Sequence, residues 1–331
     1  MYLYHLLLMP KISIITTTYK HSDFITHTID SVLAQTYTDR ELLIWDDSPD
    51  DATRDIISSY TSRYPDKIKA RHHIPNKWIV DNMNFLISQS SYESEYLSFL
   101  EWDDMYTPDN LQQKIHIFEH YPEVKLVYSD LSFIDKNNNT ILRSFFDYRN
   151  IRFYQNEIIS IDDFVSAKAW PIASRSTGMI KKDILEIISI SSLQPDNKTY
   201  SVSDYDLYFQ IATKYPVYGI ETPLTQYRRH SNNLSWTSWW TSWDLEILIN
   251  YYHKIWKINL RIYKIKLSWI YIVYCIFTLE ICDYNSARRY IRQSISYNKF
   301  SFLFWKIWCI SLLCIPSKIS KLLLTKFIKR W

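Results

Sequence analysis

The sequence predicts an α/β domain with a mostly parallel sheet and flanking helices, followed by a mostly α-helical C-terminal region. Three observations support this prediction. Apolar runs of strand length alternate with segments of helical periodicity over about the first 130 residues, acidic residues follow several of those runs, and from Trp236 onward the pattern is mostly helical. Strands that alternate with helices form βαβ units, which build parallel sheets.

The first predicted strand is Lys11–Tyr19, because Ile and Thr dominate it. Ser22 and Asp23 are candidate N-caps for a helix whose apolar residues recur on one face through Leu33. The next predicted elements are a strand at 41–45, a helix at 53–64 ended by Pro65, a strand at 68–73, a helix at 78–90, a strand at 96–100, a helix from Pro108 to 120 and a strand at 124–128. Short strands at 177–180 and 217–220 and a helix at 201–214 have weaker patterns.

The composition excludes several classes of protein. A chain of 331 residues with 47% hydrophobic residues is long enough to bury a large core in about two domains. Its only two glycines, Gly178 and Gly219, cannot build a glycine-rich phosphate loop. A nucleotide would therefore have to be held by other groups.

The charge is distributed unevenly along the chain. Residues 284–331 contain ten Lys or Arg and no Asp or Glu, whereas the rest of the chain contains the other 28 basic groups and all 35 acidic groups. An acidic body does not favour nucleic acid as a partner, and a basic, aromatic tail is typical of contact with an anionic membrane surface. We therefore expect a cytoplasmic protein that lies peripherally on the inner face of the cell membrane.

The end of the chain, from Pro316 onward, has the pattern of an amphipathic helix. Ile319, Leu322, Leu323 and Phe327 recur at helical spacing between lysines, which is typical of a helix in a membrane interface. The alternatives are packing on its own domain or on a second subunit in a homodimer.

Two smaller features concern the ends of the chain. The four cysteines fall in the last quarter without a C-x-x-C pair, which favours reduced thiols. The opening apolar segment lacks a basic n-region and a cleavage site, so it does not favour a signal peptide. Met9 is an alternative start of translation directly before the first strand.

Acidic residues follow three of the predicted strands. They are Asp46 and Asp47, Asp103 and Asp104, and Asp130, which comes after Ser129. Ligands of parallel sheets bind at the carboxyl ends of the strands, so the pattern predicts one crevice lined by carboxylates. Clustered carboxylates repel each other unless a cation is shared, and Mg²⁺ or Mn²⁺ prefers such oxygen ligands.

Six segments in order resemble family-2 glycosyltransferases with a GT-A fold over residues 10–235. They are Ile12–Tyr19, Ile29–Tyr37, Ile44–Ser48, Phe99–Asp104, Ser203–Leu207 and Pro223–His230. In the tail, Asp283–Arg289 followed by an aromatic helix resembles the helical appendage of bacterial surface-polysaccharide transferases. The resemblance therefore implies a GT-A domain at 10–235 and a basic, membrane-associated helical tail at 236–331.

The resemblance also implies roles for individual residues. Asp103 and Asp104 would hold the metal and the diphosphate, with Asp103 also on the nucleotide, and His230 would be a further metal ligand. The alternatives are an acidic turn before a helix N-terminus for the two aspartates and a structural role for the histidine. The implied cofactor is Mn²⁺ or Mg²⁺.

Other matched residues would bind the donor and activate the acceptor. Asp47 would accept a hydrogen bond from a uracil N–H, with Thr17 and Tyr19 beside the same base. Asp204 would be the general base, unless it only caps the helix that starts there. Arg228 and Arg229 are candidates for the diphosphate oxygens.

The resemblance implies an inverting, metal-dependent transfer from a nucleotide-diphosphate sugar, UDP-linked, to a hydroxyl of a glycan or lipid-linked acceptor in bacterial envelope polysaccharide synthesis. The aromatic stretch from Phe145 to Trp170 is a hypothetical acceptor platform.

The sequence departs from the family pattern at Glu101, Ser48 and Ser203, which stand in place of the usual Asp, Gly and Glu. The departures at 101 and 203 leave a second hypothesis open, a non-catalytic scaffold that binds glycan or a partner enzyme at the membrane. A nucleotidyltransferase is disfavoured because no Gly-rich or basic triphosphate loop follows the first strand.

Overall fold

A computed structural model describes residues 11–73, 79–149, 157–159, 174–188, 203–230, 233, 246, 249–250, 253–254, 259–280, 283–300, 305–306 and 309. The described residues fall into two compact units. The first contains those up to residue 230, and the second contains those from Asn233 onward. Met9, the aromatic stretch beyond Arg149 except residues 157–159, and the terminal segment after Cys309 lie outside the described residues.

The strands of the first unit are β1 (Lys11–Thr18), β2 (Arg40–Asp46), β3 (Ile68–His72), β4 (Ser94–Phe99), β5 (Met105–Tyr106), β6 (Leu126–Ile134), β7 (Thr140–Leu142), β8 (Glu157–Ile159), β9 (Gly178–Lys181) and β10 (Val217–Arg228). Its helices are α1 (Ile25–Leu33), α2 (Asp51–Arg63), α3 (Ile79–Ser88), α4 (Asn110–His120), α5 (Phe145–Arg149) and α6 (Ser203–Ala212). Short 3₁₀ helices at Arg175–Thr177 and Lys182–Glu186 flank β9.

These strands form one sheet in the order β3-β2-β1-β4-β9-β6-β10-β5, with β7 beside β6 and β8 beside β10. The six longest strands run in the same direction, and the shorter β5, β7, β8 and β9 are antiparallel to their neighbours. The mostly parallel α/β architecture is therefore confirmed. The carboxyl ends of β1, β2, β4 and β10 consequently open at the same edge of the sheet.

The central strands are buried on both faces, which explains their nearly continuous apolar sequence. Ile12, Ile14, Leu42 and Ile44 are at most 1% exposed. Full burial of each such side chain contributes about 1.5–3 kcal/mol relative to exposure. This core fixes the positions of the strand ends that carry the site.

Local signals determine where the helices begin. Asp50 caps α2, since its carboxylate accepts a hydrogen bond from the backbone N–H of Ala52 at 3.2 Å. Helix α4 begins at Asn110 rather than at the predicted Pro108. The carbonyl of Pro108 instead accepts from the backbone N–H of Thr36 at 2.8 Å, which holds that proline outside the helix.

Two strands are longer than predicted. β6 continues to Ile134, so the prediction that Asp130 stands at a strand end is wrong. Its buried carboxylate instead accepts hydrogen bonds from the Ser144 hydroxyl at 2.6 Å and from the backbone N–H groups of Leu131 and Phe146 at 2.7 and 3.0 Å. Burial raises the pKa of Asp130 to about 6 despite these donors. Asp130 therefore holds the start of α5 against β6 and is not a member of the carboxylate crevice.

β10 extends along β6 to Arg228, well beyond the predicted end at Ile220. Its pairing is irregular between Ile220 and Thr225, on either side of Pro223. Proline lacks a backbone N–H, so an irregularity is where a strand tolerates it. The sequence pattern ends at this break, although the strand does not.

The described helices of the second unit are α7 (Leu260–Glu280) and α8 (Tyr284–Tyr297), which form an antiparallel hairpin. The hydroxyls of Ser268 and Ser294 lie 3.1 Å apart between them, and the rings of Tyr271 and Tyr297 stack at 5.5 Å. Cys275 and Cys309 are free thiols buried in this core. The mostly helical C-terminal region is therefore confirmed. A search of the described helices finds none with the length and apolarity needed to span a bilayer.

Candidate active site

The ends of β1 and β2 are joined by one backbone-to-side-chain hydrogen bond. Lys20 has a positive φ of 59°, and its backbone N–H donates to the hydroxyl of Ser48 at 2.7 Å. Non-glycine residues adopt this region uncommonly, so the contact stabilises an unusual turn. Ser48, which stands where the family pattern has Gly, thus has a function as an acceptor in this turn.

Asp47 lies in a buried polar cluster just after β2. Its carboxylate accepts from the indole Nε1–H of Trp45 and from the side-chain amide of Asn82, each at 2.6 Å. The Nδ1 of His73 lies 4.0 Å from the same carboxylate. Asp47 is only 2% exposed, so these donors fix its orientation. The sequence pattern placed Asn82 near the start of α3 but did not indicate this contact.

The other two residues predicted for the base lie on β1 or directly after it. Thr17 is half-buried in β1 and is paired in register with Trp45. Tyr19 is 38% exposed at the end of the strand, which leaves an aromatic ring at the surface of this edge. Asn76 and Lys77 lie outside the described residues.

Asp46 caps the turn that follows β2. Its carboxylate accepts from the backbone N–H of Ser48 at 2.9 Å and lies 3.1 Å from the Nδ1 of His72. It is therefore occupied in shaping the turn that presents Asp47.

Asp103 and His230 meet at the carboxyl ends of β4 and β10. The Nε2 of His230 lies 2.9 Å from the Oδ2 of Asp103, and each side chain is 9% exposed. The rings of Phe24 and Trp102 lie 5.0 and 5.4 Å from the His230 ring. An imidazole nitrogen and a carboxylate oxygen from distant parts of the chain are thus held in direct contact.

Asp104 occupies a different environment from its neighbour. It is completely buried, and its carboxylate accepts from the hydroxyls of Ser176 and Ser174 at 2.5 and 3.2 Å and from the backbone N–H of Arg228 at 3.1 Å. Burial and the charge of Asp103 raise the pKa of Asp104 well above its usual value. Both carboxylate oxygens are in protein hydrogen bonds that tie together β4, the turn before β9 and the end of β10.

Arg228 supports the loop that carries Asp103 and Asp104. Its side chain is fully buried, with Nε donating to the carbonyl of Asp103 at 2.9 Å and one terminal nitrogen donating to the carbonyl of Asp135 at 2.9 Å. Its guanidinium also lies 4.8 Å from the centre of the Phe24 ring. These buried contacts support the Asp103–Asp104 loop and do not favour Arg228 as a ligand of the diphosphate. The guanidinium of Arg229 lies 5.2 Å from the centre of the Phe133 ring.

Glu101 forms an ion pair that the sequence pattern does not indicate. Its Oε1 lies 3.1 Å from a terminal nitrogen of Arg175, a residue that is only 8% exposed. The same nitrogen donates to the sulfur of Met83 at 3.0 Å. The carboxylate that replaces the usual Asp is thus paired with a cation from a distant part of the chain.

His21 joins the β1 end to the β4 end. Its ring stacks on that of Trp102 with an interplanar angle of 2°, and its Nδ1 accepts from the backbone N–H of Tyr19 at 3.1 Å. Burial and the nearby His230 lower the pKa of His21 to about 3. The imidazole is therefore neutral at physiological pH, as an acceptor at Nδ1 requires.

The backbone of Asp204 lies in the first turn of α6, and its side chain lies outside the described part of the chain. Further along α6, Asp206 is buried and accepts from the side-chain amide of Gln210 at 3.0 Å. The hydroxyl of Tyr208 donates to the carbonyl of Arg175 at 3.1 Å. Helix α6 is thereby attached to the segment that also holds Glu101 and Asp104.

No group of three or more Asp, Glu, His or Cys side chains in the described ranges is arranged to hold a metal ion. Asp103 and His230 provide two donors of the kinds that Mn²⁺ accepts. The arrangement suits an ion whose remaining ligands come from a bound phosphate or from water.

The fold defines a class of proteins. TarS of S. aureus, residues 1–349 in complex with UDP-GlcNAc, superposes with a TM-score of 0.57 over 97% of this chain and 90% of that one, at 11% identity. The mannosyltransferase PcManGT of Pyrobaculum calidifontis, in complex with GDP-Man and Mn²⁺, gives a TM-score of 0.54 over 96% and 85%, at 13% identity. The fold is therefore that of GT-A glycosyltransferases.

The sequence then identifies the family. The family model described as Glycosyl transferase family 2 matches residues 13–188, and the chain belongs to this family. An uncharacterized glycosyltransferase of Nostoc sp. is 33% identical over 131 residues, which cover 40% of this chain and 39% of the relative. The putative teichuronic acid biosynthesis glycosyltransferase TuaG of Bacillus subtilis is 31% identical over 110 residues, covering 32% and 41%. The putative glycosyltransferase EpsE of the same bacterium is 27% identical over 127 residues, covering 38% and 45%. The chain thus spans less than half the length of these curated relatives.

Proposed function

We propose that this protein is an inverting, metal-dependent glycosyltransferase that moves a sugar from a nucleotide diphosphate, UDP in the first instance, to a hydroxyl of a glycan or lipid-linked acceptor in bacterial envelope polysaccharide synthesis. The observation that carries the proposal is the contact between Asp103 and His230 at the carboxyl edge of a GT-A sheet. Family membership and relatives named for teichuronic acid synthesis support the substrate class.

The nucleotide would bind at the ends of β1 and β2. Asp47 would accept a hydrogen bond from the base, and the amide of Asn82 and the indole of Trp45 hold its carboxylate for this contact. The exposed ring of Tyr19 would stack on the base, with Thr17 beside it. Because Asp47 is buried among donors, it offers lone pairs in a limited set of directions and would select a base with a matching N–H.

The metal and the diphosphate would bind at Asp103 and His230. Their donor atoms fit Mn²⁺ or Mg²⁺, since a carboxylate oxygen and an imidazole nitrogen already meet there at 2.9 Å. The bound metal would supply positive charge that stabilises the leaving diphosphate. Asp104 was also expected to be a ligand, and its complete burial favours the role of holding the Asp103 loop in position.

The acceptor would be activated from helix α6. Asp204 would take the proton of the attacking hydroxyl while the new bond to the anomeric carbon forms and the bond to the diphosphate oxygen breaks. A single displacement of this kind inverts the anomeric configuration, and no covalent sugar–enzyme bond is formed. The contact of Tyr208 with Arg175 supports this assignment, because it fixes α6 beside the other site residues.

The proposal assigns catalysis to residues 10–235 and membrane contact to the helical tail at 236–331. The tail would place the protein peripherally on the cytoplasmic face of the membrane, where a lipid-linked acceptor is accessible. A homodimer through the same tail is the competing arrangement.

The test is thermal unfolding of the full chain with a panel of nucleoside diphosphates, with and without Mn²⁺. A ligand at about 100 times its dissociation constant stabilises a protein by roughly 2.7 kcal/mol, which raises the unfolding midpoint measurably. We expect UDP to raise it only with Mn²⁺ and Asp103→Asn to abolish the effect. Stabilisation by a different base would correct the donor, and no response from folded protein would favour the non-catalytic scaffold. Transfer from UDP-sugars by wild type but not by Asp204→Asn would then establish the enzyme.

A further inference from the structure

The exposed face of helix α8 carries a cluster of positive charge in the described part of the second unit. Arg288, Arg289 and Arg292 are all exposed, and they recur at spacings of three and four residues. Residues at these spacings share one side of a helix. The opposite side contains Ala287 and Ile291, which are buried against α7.

Few groups on the protein compensate these charges. No described residue forms an ion pair with any of the three arginines, and no Asp or Glu occurs from residue 284 to residue 331. Arg289 lies over the ring of Tyr290 at 4.9 Å, a contact that leaves its charge in place. The preceding acidic residue, Asp283, caps α8 by accepting from the backbone N–H of Ser286 at 3.1 Å. The face therefore presents a net positive charge to its surroundings.

Exposed apolar and basic side chains also lie at the other end of the hairpin, away from Arg288 and Arg289. Phe300, just past the end of α8, is 82% exposed, and Leu260, at the start of α7, is 54% exposed. The hairpin is antiparallel, so these two ends lie at the same side of it. The exposed Lys299, Arg261 and Lys264 are at the same end.

We propose that the arginine face of α8, defined as Arg288, Arg289 and Arg292, docks on an anionic lipid bilayer. Basic residues at such a surface are attracted by the negative leaflet, and the further exposed basic residues of the hairpin favour the same partner. The inference rests on the membrane association proposed above and assigns it to a described helix rather than to the terminal segment alone. It does not depend on sugar transfer.

The test is sedimentation of the full chain with vesicles of phosphatidylcholine alone and with vesicles of phosphatidylcholine mixed with phosphatidylglycerol. Each basic residue near an anionic surface strengthens binding about fivefold, so the triple variant Arg288→Gln, Arg289→Gln, Arg292→Gln should bind the anionic vesicles on the order of 100-fold more weakly. A matched control removes three exposed lysines of the first unit, Lys67→Gln, Lys136→Gln and Lys214→Gln, and should change binding only a few-fold. Wild-type binding should also fall steeply as salt is raised from about 0.05 to about 0.5 M, because the charges become screened.

The outcomes separate the possible failures. If wild type binds anionic vesicles and the triple variant binds equally well, the docking face is wrong while membrane association stands. If wild type binds neither vesicle, both are wrong. Preferential binding of a single-stranded RNA, lost in the triple variant, would assign the face to nucleic acid and overturn the proposal. The thermal unfolding midpoint of the triple variant without ligand, compared with that of wild type, shows that it is folded and leaves the catalytic proposal to its own test.

Discussion

The side chains of His230 and Asp103 are joined at 2.9 Å between Nε2 and Oδ2, although the two residues are far apart in the sequence. We expect Asp103→Asn and His230→Gln each to reduce sugar transfer at least 100-fold, since each removes a donor where the diphosphate leaves. A loss of this size corresponds to about 2.7 kcal/mol of transition-state stabilisation. Initial rates over a range of Mn²⁺ concentrations measure it. His116→Gln on the exposed face of α4 is the matched control, and an equal loss there would contradict the assignment.

The amide of Asn82 is expected to contribute to nucleotide affinity through Asp47. Asn82→Ala removes the donor at 2.6 Å from the Asp47 carboxylate and should weaken UDP binding about tenfold, because the carboxylate loses its fixed orientation. Calorimetric titration of UDP in the presence of Mn²⁺ measures the change. Asn84→Ala, on an exposed position of the same helix, tests the alternative that the second asparagine faces the nucleotide. A larger effect at Asn84 would show that the Asn82 contact is only structural.

Arg228 should matter more for stability than its neighbour Arg229. Arg228→Lys is expected to lower the free energy of unfolding by about 2–4 kcal/mol, because one ammonium cannot satisfy the separated carbonyls that the guanidinium binds. Arg229→Lys should cost under about 1 kcal/mol, because the side chain of Arg229 is only partly buried. Urea unfolding measures the free energy of unfolding of both variants. Similar losses in the two variants would mean that the buried contacts of Arg228 do not contribute more to stability than those of Arg229.

The buried side chain of Lys114 should make the free energy of unfolding depend on pH in an unusual way. Its ammonium is buried in α4 with no hydrogen-bond acceptor among the described residues, and the Tyr106 ring lies 5.4 Å away. Burial lowers the pKa of Lys114 to about 7. Between pH 7 and about 10 the unfolded chain therefore binds a proton that the folded chain does not.

The free energy of unfolding should consequently rise with pH over this interval, by at most about 1.4 kcal/mol per pH unit from this group. Lys114→Met should be more stable than wild type by several kcal/mol near pH 6 and by much less near pH 10. Chemical unfolding at a series of pH values gives both curves. Parallel curves would show that Lys114 keeps its ordinary pKa.

Gly178 leaves room for the ring of Tyr208 on α6. A Cβ at position 178 would lie 2.8 Å from the Cζ of that ring, so Gly178→Ala should destabilise the protein by about 1–3 kcal/mol. It should also lower sugar transfer, because α6 carries Asp204. Combining it with Tyr208→Leu should restore part of the loss, with a coupling energy of about 1–2 kcal/mol. Additive effects in this double-mutant cycle would mean that the destabilisation by Gly178→Ala does not come from a clash with the Tyr208 ring.

The sequence predicted correctly those features that depend on interactions between residues close together in the chain. The β-branched run of β1 and the end of α2 before Pro65 are defined by short-range sterics, and both are seen in the structure, whereas the candidate caps Ser22 and Asp23 are not used by α1. Similarly, Asp46 follows a strand and caps a turn by accepting from a backbone N–H two residues later. Such features depend on neighbours in the chain, which a single sequence displays.

Contacts between distant segments could not be predicted in the same way. Asp103 and Asp104 are adjacent and chemically identical, and only the fold makes one a partner of His230 and the other a buried acceptor for Ser174 and Ser176. The partners of Arg228 and Glu101 could not be predicted for the same reason. Arg228 donates to the loop before β7, and Glu101 is paired with Arg175 in the loop before β9. The one available signal was the run of serines at 174 and 176 before Gly178, whose partner the sequence does not indicate.

The Asp104 carboxylate has a consequence for the order in which the chain folds. Its donors come from positions 174, 176 and 228, so all of them are synthesised long after the acceptor. A nascent chain that has emerged only through residue 188 contains Ser174 and Ser176 but lacks the backbone N–H of Arg228 and the whole of β10. We therefore expect the catalytic edge to be assembled late, when β10 closes a large loop, and to depend on chaperone protection until then.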